Sequence, residues 1–217
     1  MNKAQSRRKA GTIRFEIIAI LITVAGKFIF MDILNWRFPY VFTAILFWLV
    51  YIFYAYKKDK NVLKHWGFRK DNFNKGFRTI LPYGVVAFGL CIIIGFIQQS
   101  IIISWHIIPI LLLYPIWGCI QQFLLIALIA GNLKGIYPHN KYKFPIILIT
   151  AILFALVHYP IIWLVIATFI LALFYGFIYI RNNNLYVLGL FHGWLGAIFY
   201  YTILGDDPFL NVFGKYL

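Results

Sequence analysis

The chain has 217 residues, of which 63% are hydrophobic and only 12% charged, with a mean hydropathy of +0.83. A soluble domain is roughly half apolar and a quarter charged, so this composition excludes a soluble globular protein and requires a bilayer as solvent. The net charge of +14 would suggest nucleic acid on a soluble surface; here its placement follows membrane topology, and no nucleic-acid partner is expected.

A spanning helix needs about 20 mostly apolar residues. The N-terminus, MNKAQSRRKAGTIRFE, is basic and then turns apolar, as a signal peptide does. Thr23-Val24-Ala25 is a poor cleavage site, and the apolar run continues through Phe28-Ile29-Phe30. An uncleaved first span is therefore predicted. In chain order, the predicted spans are 12–31, 37–56, 79–97, 107–130, 144–158, 161–180 and 185–204. The fifth is short and ends at Tyr159-Pro160, so it forms a tight pair or a broken element with the sixth. The sequence shows no second domain, low-complexity linker or internal repeat, which makes residues 1–217 a single integral-membrane domain.

Charge tests this count. With a cytoplasmic N-terminus, the inner segments hold Lys3, Arg7, Arg8, Lys9 and Arg14, then eight cations from Lys57 to Arg78, then Lys134, Lys141, Lys143 and finally Arg181. That is seventeen of the 20 Lys and Arg. Arg37 and Lys215 fall outside, and Lys27 lies within the first span. Positive-inside insertion produces this asymmetry. The predicted fold is an all-α, polytopic transmembrane helix bundle of about seven spans, N-terminus cytoplasmic and C-terminus outside. The basic loop Lys57 to Arg78, with Trp66, Phe68 and Phe73, is expected to lie on the membrane surface. Cys91 and Cys119 sit in apolar segments and read as small buried hydrophobes, without a disulfide or metal-ligand spacing.

Polar residues inside spans are expensive and often mark function. Glu16 and Lys27 share a helix face eleven residues apart. That is too far to pair, so both are expected to snorkel toward opposite interfaces. Gln98-Gln99 ends the third span, where water satisfies the amides. Gln121-Gln122 lies deep in IWGCIQQFLL, where an unpartnered amide costs a few kcal/mol. That pair implies partners, a polar cavity or a site. His158 closes the fifth span and His192 lies in the seventh, and together with the deep glutamines they point to one polar locus. His65, His106 and His139, in loops or at span ends, require no special role. Phe154 and His158 share a helix face, as do His192 and Gly196. Gly189 and Gly193 form a small-xxx-small pair that would bring the seventh span close to a neighbour.

The ordered set resembles the CPBP intramembrane peptidases, the CAAX-protease and bacteriocin-processing family also called Abi, over about residues 60–205. That family shows Glu-Glu-x-x-x-Arg, then Phe-x-x-x-His, then His-x-x-x-Asn or Asp. Here the corresponding stretches are Gln121-Gln122-Phe123-Leu124-Leu125-Ile126, Phe154-Ala155-Leu156-Val157-His158 and His192-Gly193-Trp194-Leu195-Gly196. His65-Trp66-Gly67-Phe68 is similar to the family's usual lead-in. The resemblance implies that His158 is the water-binding partner of the first family glutamate and His192 an oxyanion donor, roles that suit acid–base and oxyanion catalysis. Gln121 stands where the catalytic glutamate is expected, and an amide takes no proton from water at neutral pH. The chain's one glutamate is Glu16, and Asp206 and Asp207 fall beyond the seventh span. Gly196 supplies no side-chain donor. At Gln122 and Ile126 the family's Glu and Arg are absent together, a compensated change that avoids an unpaired buried charge.

The sequence therefore implies a CPBP-like intramembrane peptidase homologue, atypical or catalytically inactive, with Gln121, Gln122, His158 and His192 as its site. Its partners would be the lipid bilayer and a peptide or lipidated protein, in peptide processing or a bacteriocin-immunity type of role. A working peptidase would use His158 itself as base, with Gln121 orienting water. The alternatives are a non-catalytic membrane interaction protein or a small multi-pass permease; the absence of a repeat ranks the permease last. No cofactor is expected. Two histidines with amides make a poor zinc site, so no metal is expected either. Asn- and Lys-rich loops with Ile- and Phe-rich spans suggest a bacterial plasma membrane.

Overall fold

The computed structural model describes residues 10–217. Lys3, Arg7, Arg8 and Lys9, counted above for topology, lie outside the described residues. Among the described residues every regular element is helical. Among the described residues, five helices are long and apolar enough to cross a membrane: Arg37–Lys58, Phe73–Gln98, Ile107–Ile136, Ile162–Arg181 and Leu185–Leu204. They coincide with the second, third, fourth, sixth and seventh predicted spans. The first is the helix α1, Ala10–Gly26, continued by a wider π-helical stretch Lys27–Ile33. The fifth is α7, Lys143–Leu156, only 14 residues long.

The chain forms two compact units, Met1–Asn35 with Phe123–Asn183, and Trp36–Gln122 with Asn184–Leu217. The second contains α2 (Arg37–Lys58), the short α3 (Val62–Trp66), α4 (Phe73–Gln98), α5 (Ile107–Gln122), α9 (Leu185–Phe199) and α10 (Pro208–Phe213). Its central element is α9. Leu185, Val187, Leu188, Phe191 and Ala197 have no exposed surface, so an apolar sequence with small residues on its neighbour-facing sides is what the position demands. Against α4 the approach is close, because a Cβ on Gly84 would come within 2.5 Å of the Phe191 ring.

Asn184 starts α9 and holds the preceding loop to it. Its Oδ1 accepts from Val187 N at 3.0 Å, an N-cap that satisfies one of the helix's orphan donors. Its Nδ2 donates to Arg69 O at 2.7 Å and Asn72 Oδ1 at 2.6 Å. Leu185 N–H donates to Gly67 O at 2.7 Å. Gly67 has φ 96°, the left-handed conformation that ends α3 and that glycine adopts without strain. The basic loop is thus a built segment, and its Trp66 is 1% exposed beside Tyr51 rather than lying on a lipid surface. The surface reading does fit the end of α2, where Lys57, Lys58 and Lys60 each stand over an aromatic ring four residues back, Phe53, Tyr54 and Tyr56. Such cation–aromatic pairs suit a membrane–water interface.

After α9 the helix continues through a π-helical turn, Tyr200–Leu204, and reverses at Gly205. Asp207 caps α10, with Pro208 at its first turn. Asp207 Oδ1 accepts from Tyr201 OH at 2.8 Å and Phe209 N at 3.0 Å, and Oδ2 accepts from His106 Nδ1 at 2.7 Å. Burial pushes this carboxyl up, but the hydrogen bonds from His106, Tyr201 and the α10 backbone outweigh it and hold it below its ordinary value. His106 also stacks on Phe209 at 4.5 Å. His106, which the sequence left without a role, is therefore part of the clasp that seats α10.

The other unit contains α1 with its π-helical end, a π-helical stretch Phe123–Ala130, α6 (Gly131–Ile136), α7 and α8 (Ile162–Arg181). Glu16 does not snorkel. It is wholly buried and accepts from Asn132 Nδ2 at 2.7 Å, tying α1 to α6. Lys27 pairs with Asp32 at 2.7 Å and donates to Tyr159 O at 3.0 Å. Gly176 lets α8 meet α7, since a Cβ there would lie 2.8 Å from Ile147 Cγ2.

A group with a depressed folded pKa stabilises above its unfolded value, and that stabilisation is lost as pH falls through the folded one. Native protein in detergent should therefore lose melting temperature below about pH 4 more steeply than Asp207→Asn. At neutral pH the variant should be weaker by about 1–3 kcal/mol. Parallel acid titrations of the two proteins would show no difference in slope if the clasp contributes nothing.

Candidate functional site

The site is built by the seam between α5 and α9. A Cβ on Gly118 would lie 2.5 Å from Gly189 O and 3.2 Å from His192 Cδ2. One on Gly189 would meet Cys119 Cα at 2.6 Å, and one on Gly193 would meet Pro115 Cα at 2.6 Å. The obstacles are backbone atoms, which cannot rotate away. The predicted small-residue pair thus has its neighbour, α5, and the two helices touch backbone to backbone. Such contacts are how helices associate in lipid, where packing rather than water exclusion must supply the attraction. Trp194 Nε1 donates to Leu111 O at 3.1 Å on the same seam.

His192 stands between Gly189 and Gly193 on α9, next to Gly193, and is 8% exposed. Its Nε2 lies 2.7 Å from Gln121 Oε1, and its Nδ1 lies 3.3 Å from Gln122 Nε2. An amide oxygen only accepts and an amide nitrogen only donates. The proton therefore resides on Nε2, which donates to Gln121, while the Nδ1 lone pair accepts from Gln122. The result is a directed relay, Gln122 to His192 to Gln121, that requires a neutral imidazole. Gln122 has no exposed surface, and its Oε1 is buried without a hydrogen-bond partner. Leaving such an acceptor unmet costs about 1–3 kcal/mol, so the relay carries one unsatisfied acceptor.

Three of the four expected site residues thus come together. Depth separates the two glutamine pairs as expected, since Gln98 and Gln99 are exposed at the end of α4. His158 belongs to the other unit. Its Nδ1 donates to Phe154 O at 2.8 Å, and the rings of Phe154 and His158 meet edge-on at 4.8 Å. The expected shared face is real. The bond fixes the tautomer and leaves Nε2 with its lone pair.

At Gly196 the seam opens. A Cβ there would meet nothing nearer than Tyr114 Cδ2 at 4.0 Å. There is thus space for a side chain one turn beyond His192. Cys91 and Cys119 are free thiols, Cys91 buried and Cys119 partly buried against Gly189. Among the described residues no three His, Cys, Asp or Glu side chains gather as a metal-ligand set. The π-helical stretch from Phe123 begins directly after Gln122, and π-helical turns are frequent at functional sites; no residue pattern in the sequence signals it.

Residues 103–198 match the family model of the Rce1-like type II CAAX prenyl endopeptidases, the family whose motif order the sequence resembles. The matched stretch holds Gln121, Gln122, His158 and His192. No curated protein and no solved structure matches the chain. The match and the apolar helices together support a multi-pass membrane protein of CAAX-protease-like kind.

Two substitutions, each with a control, read the seam and the relay separately. Gly193→Ala should lower stability in detergent by at least about 1–3 kcal/mol, whereas Gly196→Ala, with open space, should stay within about 0.5 kcal/mol of native. Gln121→Leu strands the His192 Nε2–H and should cost about 1–3 kcal/mol. Gln98→Leu is its exposed control and should be near neutral. Thermal melts of the four variants give the ordering directly.

Proposed function

We propose that this chain is a membrane-embedded CPBP-like peptidase homologue that binds a peptide or lipidated protein and does not hydrolyse it by the carboxylate mechanism of its relatives. The observation that carries the reading is the relay itself. Both family carboxylate positions are amides, both are engaged with His192, and neither can take a proton from water. What the relay offers instead is Gln122 Oε1, a buried acceptor without a donor, which suits a backbone N–H of a bound peptide. The role would be an immunity-type capture of a peptide or lipidated partner.

The topology that accompanies this reading has seven spans, with α1 and α7 added to the five long helices, and a cytoplasmic N-terminus. The asymmetric distribution of Lys and Arg supports it. The composition of loops and spans supports a bacterial plasma membrane.

One observation favours a hydrolytic reading. The bond from His158 Nδ1 to Phe154 O leaves Nε2 available as a general base, and histidine is the residue most used for that task. A single assay separates the two. Purified protein in nanodiscs is given a mixed library of lipidated and leader-type peptides, with His158→Ala alongside. The expected result is no turnover, with retention of peptides that is weakened in His192→Ala. Turnover in the native protein that disappears in His158→Ala would instead establish an active peptidase centred on that histidine.

A further inference from the structure

Residues 100–106 join α4 to α5 outside any helix, and their exposure alternates strictly. Ser100, Ile102, Ser104 and His106 are half-buried, whereas Ile101, Ile103 and Trp105 are exposed, Ile103 by 96% and Trp105 by 69%. A period of two sets these groups on opposite faces of the segment. The inward set is pinned. Ile102 N–H donates to Tyr201 O at 2.8 Å, and Ser100 Oγ donates to Thr202 O. Both carbonyls belong to the π-helical turn that ends α9, where intrahelical donors run out. Ser104 Oγ accepts from His106 N at 3.2 Å, and Asp207 holds the His106 ring. The outward set is therefore a fixed apolar ridge.

Two demands restrict what can surround this ridge. In water, Ile103 and Trp105 would leave most of their apolar surface wet. In hydrocarbon the backbone would fail instead. Among the described residues, the N–H and C=O of Ile101 and Ile103 bond to no protein group, and lipid-exposed peptide groups without partners are not tolerated there. The membrane–water boundary meets both demands, with side chains among the upper acyl carbons and peptide groups at the headgroup level. Tryptophan is enriched at that level. The neighbours agree. Phe96 and Ile97 at the end of α4, and Ile108 and Leu112 at the start of α5, are exposed apolar residues of membrane-length helices. The ridge continues a surface that already faces lipid.

We infer that Ile101, Ile103 and Trp105 form an interfacial anchor inserted into one leaflet, which fixes the depth of α5 and places the relay past the middle of the bilayer. Gln121 lies fourteen residues beyond Ile107, about 21 Å along the helix at about 1.5 Å per residue. The hydrocarbon core is about 30 Å thick. The relay then stands nearer the opposite boundary, and the shorter path to it for a peptide starts from that side. This inference rests on the chain crossing a bilayer, and not on whether the relay cleaves or binds.

The test places a nitroxide on one cysteine in the full chain, in phosphatidylcholine nanodiscs, with Cys91→Ala and Cys119→Ala removing the native thiols. The positions are Ile103→Cys, Leu112→Cys on the exposed side of α5, and Lys70→Cys in the exposed loop before α4. Spin relaxation by oxygen, which enters lipid, is compared with relaxation by a water-soluble nickel chelate. Oxygen should dominate at Ile103, and more strongly at Leu112, five residues into the helix; nickel should dominate at Lys70. A label at Ile103 that behaves as the one at Lys70 does would overturn the inference and leave the ridge open to a protein partner. An Ile103 label as deep as the Leu112 label would overturn it as well. If the thiol-free chain does not fold, native protein and Trp105→Phe supply the answer. The difference between their tryptophan emissions reports Trp105. Lipid brominated on its upper acyl carbons should quench that difference more than aqueous iodide does, and the reverse order would refute the anchor.

Discussion

Helices α5 and α9 approach backbone to backbone because Gly118, Gly189 and Gly193 place no side chain between them. Every feature of the site follows from that spacing. A glutamine side chain reaches only a few bonds from its helix. Gln121 and Gln122 can therefore clasp both nitrogens of His192 only if the two helices nearly touch. One added methyl group on the seam would act on Pro115 or Cys119 backbone, which has no rotamer to change. In lipid, where burying apolar surface between helices wins little, such close packing and the polar contacts it permits are the attraction. The seam and the relay are thus one device.

The relay is also electrically quiet. Its three members are neutral, and each hydrogen bond runs in the same direction through the ring. A carboxylate at either glutamine position would bring a charge into a low-dielectric interior, where it needs a paired cation or a proton. The residue at position 126, where the family that the sequence resembles has arginine, is a fully buried isoleucine. Changing both members removes charge without leaving either partner stranded. Beside this neutral pair the Gln122 Oε1 stands buried without a hydrogen-bond partner.

Much of this was legible in the residues alone. Gln121-Gln122 stood out because it lay deep in an apolar run, while Gln98-Gln99 did not, and burial separates them as that argument requires. Gly189 and Gly193 announced a close contact by spacing, although not which helix they would meet. What escaped was whatever depends on a distant partner. Glu16 seemed destined for an interface because its mate, Asn132, lies 116 residues away. His106 seemed idle because Asp207 is 101 residues away. Local signals did exist. Asp207-Pro208 is a cap followed by a first-turn proline, and Asn184 ends a run of three asparagines just before an apolar stretch. Each correctly marks a helix start. Neither reveals that the capping side chain also binds a loop or a second helix.

The remaining constraint is charge balance. Twenty Lys and Arg face six Asp and Glu, and the structure shows the acids already engaged, several of them with neutral partners. Asn132, Asn211, Tyr201 and backbone amides take up acid oxygens that cations might have used. The excess positive charge is therefore not a matter of surface pairing within the chain. It must be neutralised by ions or by lipid. Where cations stand singly over aromatic rings, as at the end of α2, a diffuse headgroup layer is enough.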